Sequence, residues 1–327
     1  MPYFKLDGQR LAYTEYGGGP AALTSEGRRG RTARSASGAG GGGRPLILLH
    51  GLLLSQEMHR PLAEALAARG NRVITLDLLG HGRSDRPRDM WRYSMGSYGR
   101  EIIALMDHLE IPEAVVMGTS LGANAALEVA SAAPERLRGL VIEMPVLDNG
   151  LLGSALSFTP LLVALTFGEP LMKLLARATR AVPRQLLPHY TNVMLDVFRQ
   201  EPGPSGALMQ GLFFGRVAPP RSERRTFTTP TLILGHGRDP IHPFSDAGML
   251  AREMPNSRLI EADSIVELRV RPERLTGEIA AFLDEVWRPR RSGTRRRTGG
   301  KRTAGGKAAG AGKAATRRGG TARRADG

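Results

Sequence analysis

The feature that most constrains this chain is an alternation of short apolar runs of strand length with helical stretches. Residues 45–49, 72–77, 114–117, 140–143, 231–234 and 258–261 read as strands, and 60–69, 95–109, 121–133 and 272–286 as helices. Within 95–109, Ile102, Leu105, Met106 and Leu109 recur at the spacing of one helical face. Strands joined through helices run parallel and are covered on both faces, so the pattern predicts an α/β fold with a mostly parallel central sheet flanked by helices. Ahead of it, 3–6 and 10–15 read as an antiparallel hairpin turned at Asp7-Gly8.

Three stretches break the alternation. Residues 17–44 are Gly, Ala, Ser and Arg with almost no large apolar side chain, too little to offset the entropy of ordering, and read as a disordered insertion. Residues 149–227 carry Leu, Met and Phe punctuated by Pro160, Pro170, Pro183, Pro188, Pro202 and Pro204, and read as an inserted helical cap. Its uncharged run 150–168 falls short of the ~20 apolar residues of a spanning helix, so a lid helix is expected there. Beyond Trp287 the chain becomes an Arg, Lys, Gly, Ala and Thr tail that cannot pack a core. The expected order is thus hairpin (1–16), insertion (17–44), core (45–148), cap (149–227), core (228–287) and disordered tail (288–327).

Charge follows the same division. Residues 288–327 hold fourteen Lys and Arg against Asp326, which places +13 of the net +15 there and leaves the remainder nearly neutral. The tail has no aromatic residue for base stacking, so it is expected to bind nucleic acid or another anionic surface nonspecifically. The chain has no cysteine, which excludes disulfides, thiolate metal sites and a cysteine nucleophile. No secretory signal is legible in residues 1–16 and a cytoplasmic location is expected.

The sharpest chemical signal is Gly118-Thr119-Ser120-Leu121-Gly122, directly after the strand 114–117 and before an Ala-rich helix. That strand, turn, helix context gives a G-x-S-x-G match its meaning: small residues flank a turn so tight that the serine is forced outward, over a helix N-terminus that favours negative charge.

On these residues the chain resembles the α/β-hydrolase family over about residues 1–287, apart from the Gly-rich insertion and a loosely matching cap. His50-Gly51 resembles the family's oxyanion loop, 77–85 (DLLGHGRSD) its turn after the next strand, and 235–243 (GHGRDPIHP) the segment presenting the acid. The resemblance implies Ser120 as nucleophile, Asp239 as acid, and the backbone N–H groups of Leu52 and Leu121 as an oxyanion hole, with Gly118, Gly122, His50 and Gly51 in support. It implies no metal and no organic cofactor, and an apolar ester, thioester or lactone as substrate.

The chain departs from the family at the base. The usual histidine position falls on or near Ile265, and no histidine follows His242. Serine is a weak nucleophile until a base takes its proton. Three readings stand: His242, three residues past Asp239, is the base; His50 is the base; or the protein binds a ligand and turns it over slowly or not at all, with the tail as a tether. His81 and His236 read as structural, Asp148 as an alternative acid, and Glu143 and Asp263 as solvated or helix-capping carboxylates. The apolar cap residues Leu151, Leu152, Leu156, Phe158, Leu161, Leu162, Phe167, Phe213 and Phe214 read mostly as packing within the cap, around an apolar cavity.

Overall fold

The computed structural model describes residues 2–17 and 43–288. The tail, except Arg288, and nearly all of the Gly-rich insertion lie outside the described residues. The insertion is shorter than expected at its far end, because Arg44 begins a strand in register with Asn71.

In chain order the elements are β1 (Tyr3–Leu6), β2 (Gln9–Tyr16), β3 (Arg44–Leu49), α1 (Arg60–Ala67), β4 (Asn71–Leu76), α2 (Met95–His108), β5 (Ala114–Thr119), α3 (Leu121–Ala132) and β6 (Leu137–Glu143). There follow α4 (Leu151–Phe167), α5 (Glu169–Ala181), α6 (His189–Arg199), α7 (Pro202–Phe214), α8 (Arg221–Arg224), β7 (Thr231–His236), α9 (Phe244–Glu253), β8 (Ser257–Ala262), α10 (Glu267–Val270) and α11 (Glu273–Val286). Asp7 and Gly8, both at positive φ (50° and 79°), close the β1–β2 hairpin.

The eight strands form one sheet in the order β1-β2-β4-β3-β5-β6-β7-β8. β1 and β2 are antiparallel to their neighbours and the rest run parallel. Successive strand residues feed opposite layers, as the two-residue repeat of a strand requires. Leu46, Leu48, Val73, Val115 and Met117 pack with Leu62 and Leu66 of α1 and with Leu275, Ile279 and Phe282 of α11. Ile47, Leu49, Ile74, Leu76 and Val116 face Ile102, Leu105 and Met106 of α2, Leu127 of α3 and Leu250 of α9. From β3 the chain steps one way to β4 and then crosses back to β5. The crevice at the carboxyl ends of β3 and β5 is therefore a topological switch point, where open α/β sheets place ligands.

The expected elements are present with shifted ends, and α9, which the sequence reading did not assign, packs on β7 and β8. The prolines between β6 and β7 behave in two ways. Pro170 and Pro202 stand in the first turns of α5 and α7, where a missing N–H costs nothing. Pro160 instead lies inside α4, so it does not break that stretch as expected.

The turn after β4 is held by buried polar groups. Asp77 accepts from Gln56 N (2.7 Å), Gln56 Nε2 (2.7 Å) and Arg83 N (3.0 Å), and a Cβ on Gly82 would sit 2.1 Å from its carboxylate. Glu101 of α2 accepts from Leu79 N (2.9 Å) in the same turn, and burial pushes its carboxyl up to about 8. Because the folded pKa lies above the unfolded one, its favourable contribution is complete in acid and is lost as pH rises through about 8. Urea unfolding should therefore show stability falling by a few kcal/mol between mildly acidic and alkaline pH, at ~1.4 kcal/mol per pKa unit. Glu101→Gln should flatten that decline, and an unchanged slope would mean that Glu101 is not its source.

Candidate functional site

Ser120 sits at the carboxyl end of β5 with φ 54° and ψ −112°, a left-handed conformation that costs a non-glycine residue on the order of 1–3 kcal/mol. Its flanking glycines are steric necessities. A Cβ on Gly118 would fall 2.1 Å from the carbonyl of Gly122, and one on Gly122 would fall 2.4 Å from Leu49 O. The corner is tied at both ends, with Ser120 N donating to Glu143 O (2.9 Å) and Asn124 N to Ser120 O (3.0 Å). Leu121 opens α3, so its amide belongs to the electropositive helix end. Gly51 lies alongside, its Cβ direction 3.9 Å from Ser120 Cβ, which brings the loop carrying Leu52 next to the serine.

The loop after β7 brings the other polar groups to Ser120. Ser120 Oγ lies 2.8 Å from His242 Nε2, and His242 Nδ1 lies 2.8 Å from Asp239 Oδ2. Asp239 organises its own loop with the other oxygen, Oδ1 accepting from Ile241 N (2.8 Å) and His242 N (3.0 Å). Burial alone would raise its pKa, but the hydrogen bond and charge of His242 together with those two amides hold it at about 2. The loop is braced by α4, where Ser154 Oγ donates to Ile241 O (3.3 Å) and a Cβ on Gly153 would meet Pro240 O at 2.5 Å. Asp246 of α9 clamps the other side, accepting from the amides of Leu147, Asn149 and Gly150 at 2.6–3.0 Å.

The remaining histidines are occupied elsewhere. His50 is fully buried; its Nε2 accepts from Leu78 N (3.2 Å) and Nδ1 donates to Gly51 O (2.8 Å). Both ring nitrogens of His50, the second candidate base, are thus engaged by backbone groups. His81 Nδ1 bonds Leu79 O (3.0 Å) within its turn, and His236 ends β7 with Nδ1 on Ser264 O (3.0 Å). Ile265 is half exposed in the connection after β8. Asp148, the alternative acid, pairs instead with Arg224 (3.2 Å).

Glu143 departs from the solvated role expected of it. It is buried beneath the elbow and accepts from Thr119 Oγ1 (2.5 Å) and from both terminal guanidinium nitrogens of Arg269, Nη2 (2.8 Å) and Nη1 (3.2 Å). Burial opposes its charge, but Arg269 above all holds the carboxyl well below the usual range. Arg269 reaches Thr119 as well (3.2 Å), so the residue before Ser120 is gripped by an ion pair that sequence reasoning missed. Only the coexistence of a carboxylate at a strand end and an arginine past the last strand hinted at it.

Over Ser120 lies an apolar cavity of about 290 Å³ whose walls include Leu52, Leu121, Leu151, Phe158, Met209 and Phe213. Its polar residues are mostly committed, Asn124 bonding Val146 and Val217 and Ser154 bonding Ile241. Six of the nine apolar cap residues expected to pack within the cap are exposed, Leu151 and Phe213 at the cavity rim among them. The others are Leu152, Leu156, Phe167 and Phe214, with Phe167 exposed to 82%.

Comparison with known proteins agrees with this architecture. The family model for the alpha/beta hydrolase fold matches residues 44–264. The dihydrolipoyllysine-residue acetyltransferase component of the acetoin cleaving system of Pseudomonas putida is 31% identical over 284 residues, 81% of this chain and 70% of that protein. A haloalkane dehalogenase of Mycolicibacterium paratuberculosis is 31% identical over 118 residues, 36% of this chain and 38% of its own. An enol-lactonase from Burkholderia xenovorans superposes with a TM-score of 0.65 at 21% identity, covering 86% of this chain and 100% of its own. An esterase from Rhodococcus sp. does so with a TM-score of 0.64 at 20% identity, covering 87% and 98%. By its sheet, by the placement of its elbow and by this match, the chain belongs to the alpha/beta hydrolase fold family.

Proposed function

We propose that this protein is a serine hydrolase of small to medium apolar esters, thioesters or lactones, with Ser120 as nucleophile, His242 as base and Asp239 as acid. The observation that carries the reading is the unbroken relay Ser120 Oγ, His242 Nε2, His242 Nδ1, Asp239 Oδ2, each hydrogen bond 2.8 Å long. α4 to α7 act as the cap, and the apolar cavity beneath them supports an apolar acyl or alkyl group rather than a charged one.

In this mechanism His242 takes the hydroxyl proton at Nε2 as Ser120 Oγ attacks the carbonyl carbon. Asp239 remains a carboxylate and stabilises the imidazolium through Nδ1–H. The carbonyl oxygen becomes an oxyanion facing the amides of Leu52 and Leu121. His242 then returns the proton to the departing alkoxide or thiolate, leaving an acyl-serine. Water, deprotonated by His242, attacks that ester; the acid leaves and Ser120 recovers its proton.

A fluorophosphonate probe tests this directly. The wild-type protein should be labelled and Ser120→Ala should not, and kcat/KM on p-nitrophenyl esters should rise as the acyl chain lengthens from acetate toward the limit of the cavity. A folded wild-type protein that resists the probe would overturn the proposal.

A further inference from the structure

α4 and α5 display more apolar surface than a helix of a water-exposed cap needs. Leu152, Leu156, Val163 and Phe167 recur along α4 at spacings of four, seven and four, and all are exposed. The stripe resumes across a bend of 101° at Leu171, Leu174 and Leu175 of α5. In α5 three faces separate at 100° per residue. Ala176, flanked by the half-buried Met172 and Thr179, turns inward; Leu171, Leu174 and Leu175 form one outer flank; Lys173, Arg177 and Arg180 form the other. Glu169 is the one acid of α5, and it is paired with Lys173 (3.0 Å).

We infer that this face of the cap docks on an anionic lipid surface. An amphipathic helix with aliphatic residues on one side and Lys and Arg on the other is the form that lies in a membrane interface, its apolar side immersed and its cations at the headgroups. Among the described residues no single helix is long and apolar enough to cross a membrane; α4 and α5 meet that length and composition only as a pair bent by 101°, and the cations along α5 suit the headgroup level. Charge complementarity selects the lipid. The exposed cations of α5 carry one sign, and the sequence adds +13 in residues 288–327, each basic residue near an anionic leaflet contributing about 1 kcal/mol.

The cavity gives the docking a use. Leu151 and Phe213 line it and are themselves partly exposed, and Phe214 beside them is 74% exposed. The rim above Ser120 is therefore continuous in character with the exposed stripe of α4, and an apolar ester can pass from the lipid phase to the serine without crossing bulk water. This use rests on the acyl hydrolysis proposed above, whereas the docking does not.

The test is flotation of the full chain with vesicles of phosphatidylcholine containing phosphatidylserine. The wild-type protein should float with them, less so at high salt, and little with phosphatidylcholine alone. The variant Phe167→Ser/Leu171→Gln/Leu174→Gln should partition at least about tenfold more weakly while its Ser120 is labelled by the probe in solution at the wild-type rate. Leu152→Gln/Leu156→Gln provides a second, independent lesion with the same expected loss. Ser120→Ala should float like wild type, so a failure of the serine chemistry leaves this result readable. Equal flotation of wild type and triple variant would assign all binding to charge and overturn the inference. So would no flotation at all, or a wild-type dimer that the triple variant dissolves, which would give the face to a second copy.

Discussion

Replacing His242 with alanine should lower ester turnover by on the order of 10⁴–10⁶-fold and abolish fluorophosphonate labelling, although Ser120 stays in place. His242 stands 2.8 Å from Ser120 Oγ, whereas His50 and His81 have their Nδ1 atoms tied to backbone carbonyls within their own turns. His81→Ala should thus change labelling far less than His242→Ala in protein that remains folded. Asp239→Asn should fall between wild type and His242→Ala, with a loss of about 10⁴-fold. Asparagine keeps an acceptor for the amides of Ile241 and His242 but cannot present a second anionic oxygen to Nδ1. Single-turnover labelling rates measure all three, and a His242→Ala protein that labels at the wild-type rate would place the base elsewhere.

The second large effect is on stability. Arg269→Ala should destabilise the fold by about 3–5 kcal/mol, because it strands the carboxylate of Glu143 in a site with 1% side-chain exposure. The sign in pH follows from the depressed pKa of Glu143. Its stabilisation is present above the ordinary carboxylate value and is lost as pH falls through the lower folded one, so the wild-type advantage over Arg269→Ala should shrink in acid. Adding Glu143→Gln to Arg269→Ala should restore part of the loss, since the uncompensated charge goes with it. Guanidinium unfolding of the three variants decides the matter; a loss below about 1 kcal/mol for Arg269→Ala would mean that water or another cation reaches Glu143.

What the sequence disclosed and what it hid divide along a physical line. The sheet was legible because its strands are buried on both faces and therefore read as unbroken apolar runs. The elbow was legible because Gly118 is demanded by a contact four residues on, with Gly122, although Gly122 itself is demanded by the distant Leu49. His242 could be singled out because it follows Asp239 by three residues on one loop, but choosing between it and His50 needed the hydrogen bonds of both rings. The pairing of Glu143 with Arg269 joins positions 126 apart and leaves no local trace. The exposed stripe of α4 was misjudged for a related reason: apolar residues at helical spacing look alike whether they turn toward a core or away from it, and only the packing of the neighbouring helices separates the two.

Asp239 and His242 share a single short turn, itself laced together by the carboxylate of Asp239. Carboxylate and imidazole thus have their mutual geometry fixed by bonds internal to the turn rather than by a contact between two distant segments. If the proposed relay is the working one, the connection beyond β8 has no part in proton transfer, and substitutions at its tip, where Ile265 and Val266 are half exposed, should leave fluorophosphonate labelling at the wild-type rate.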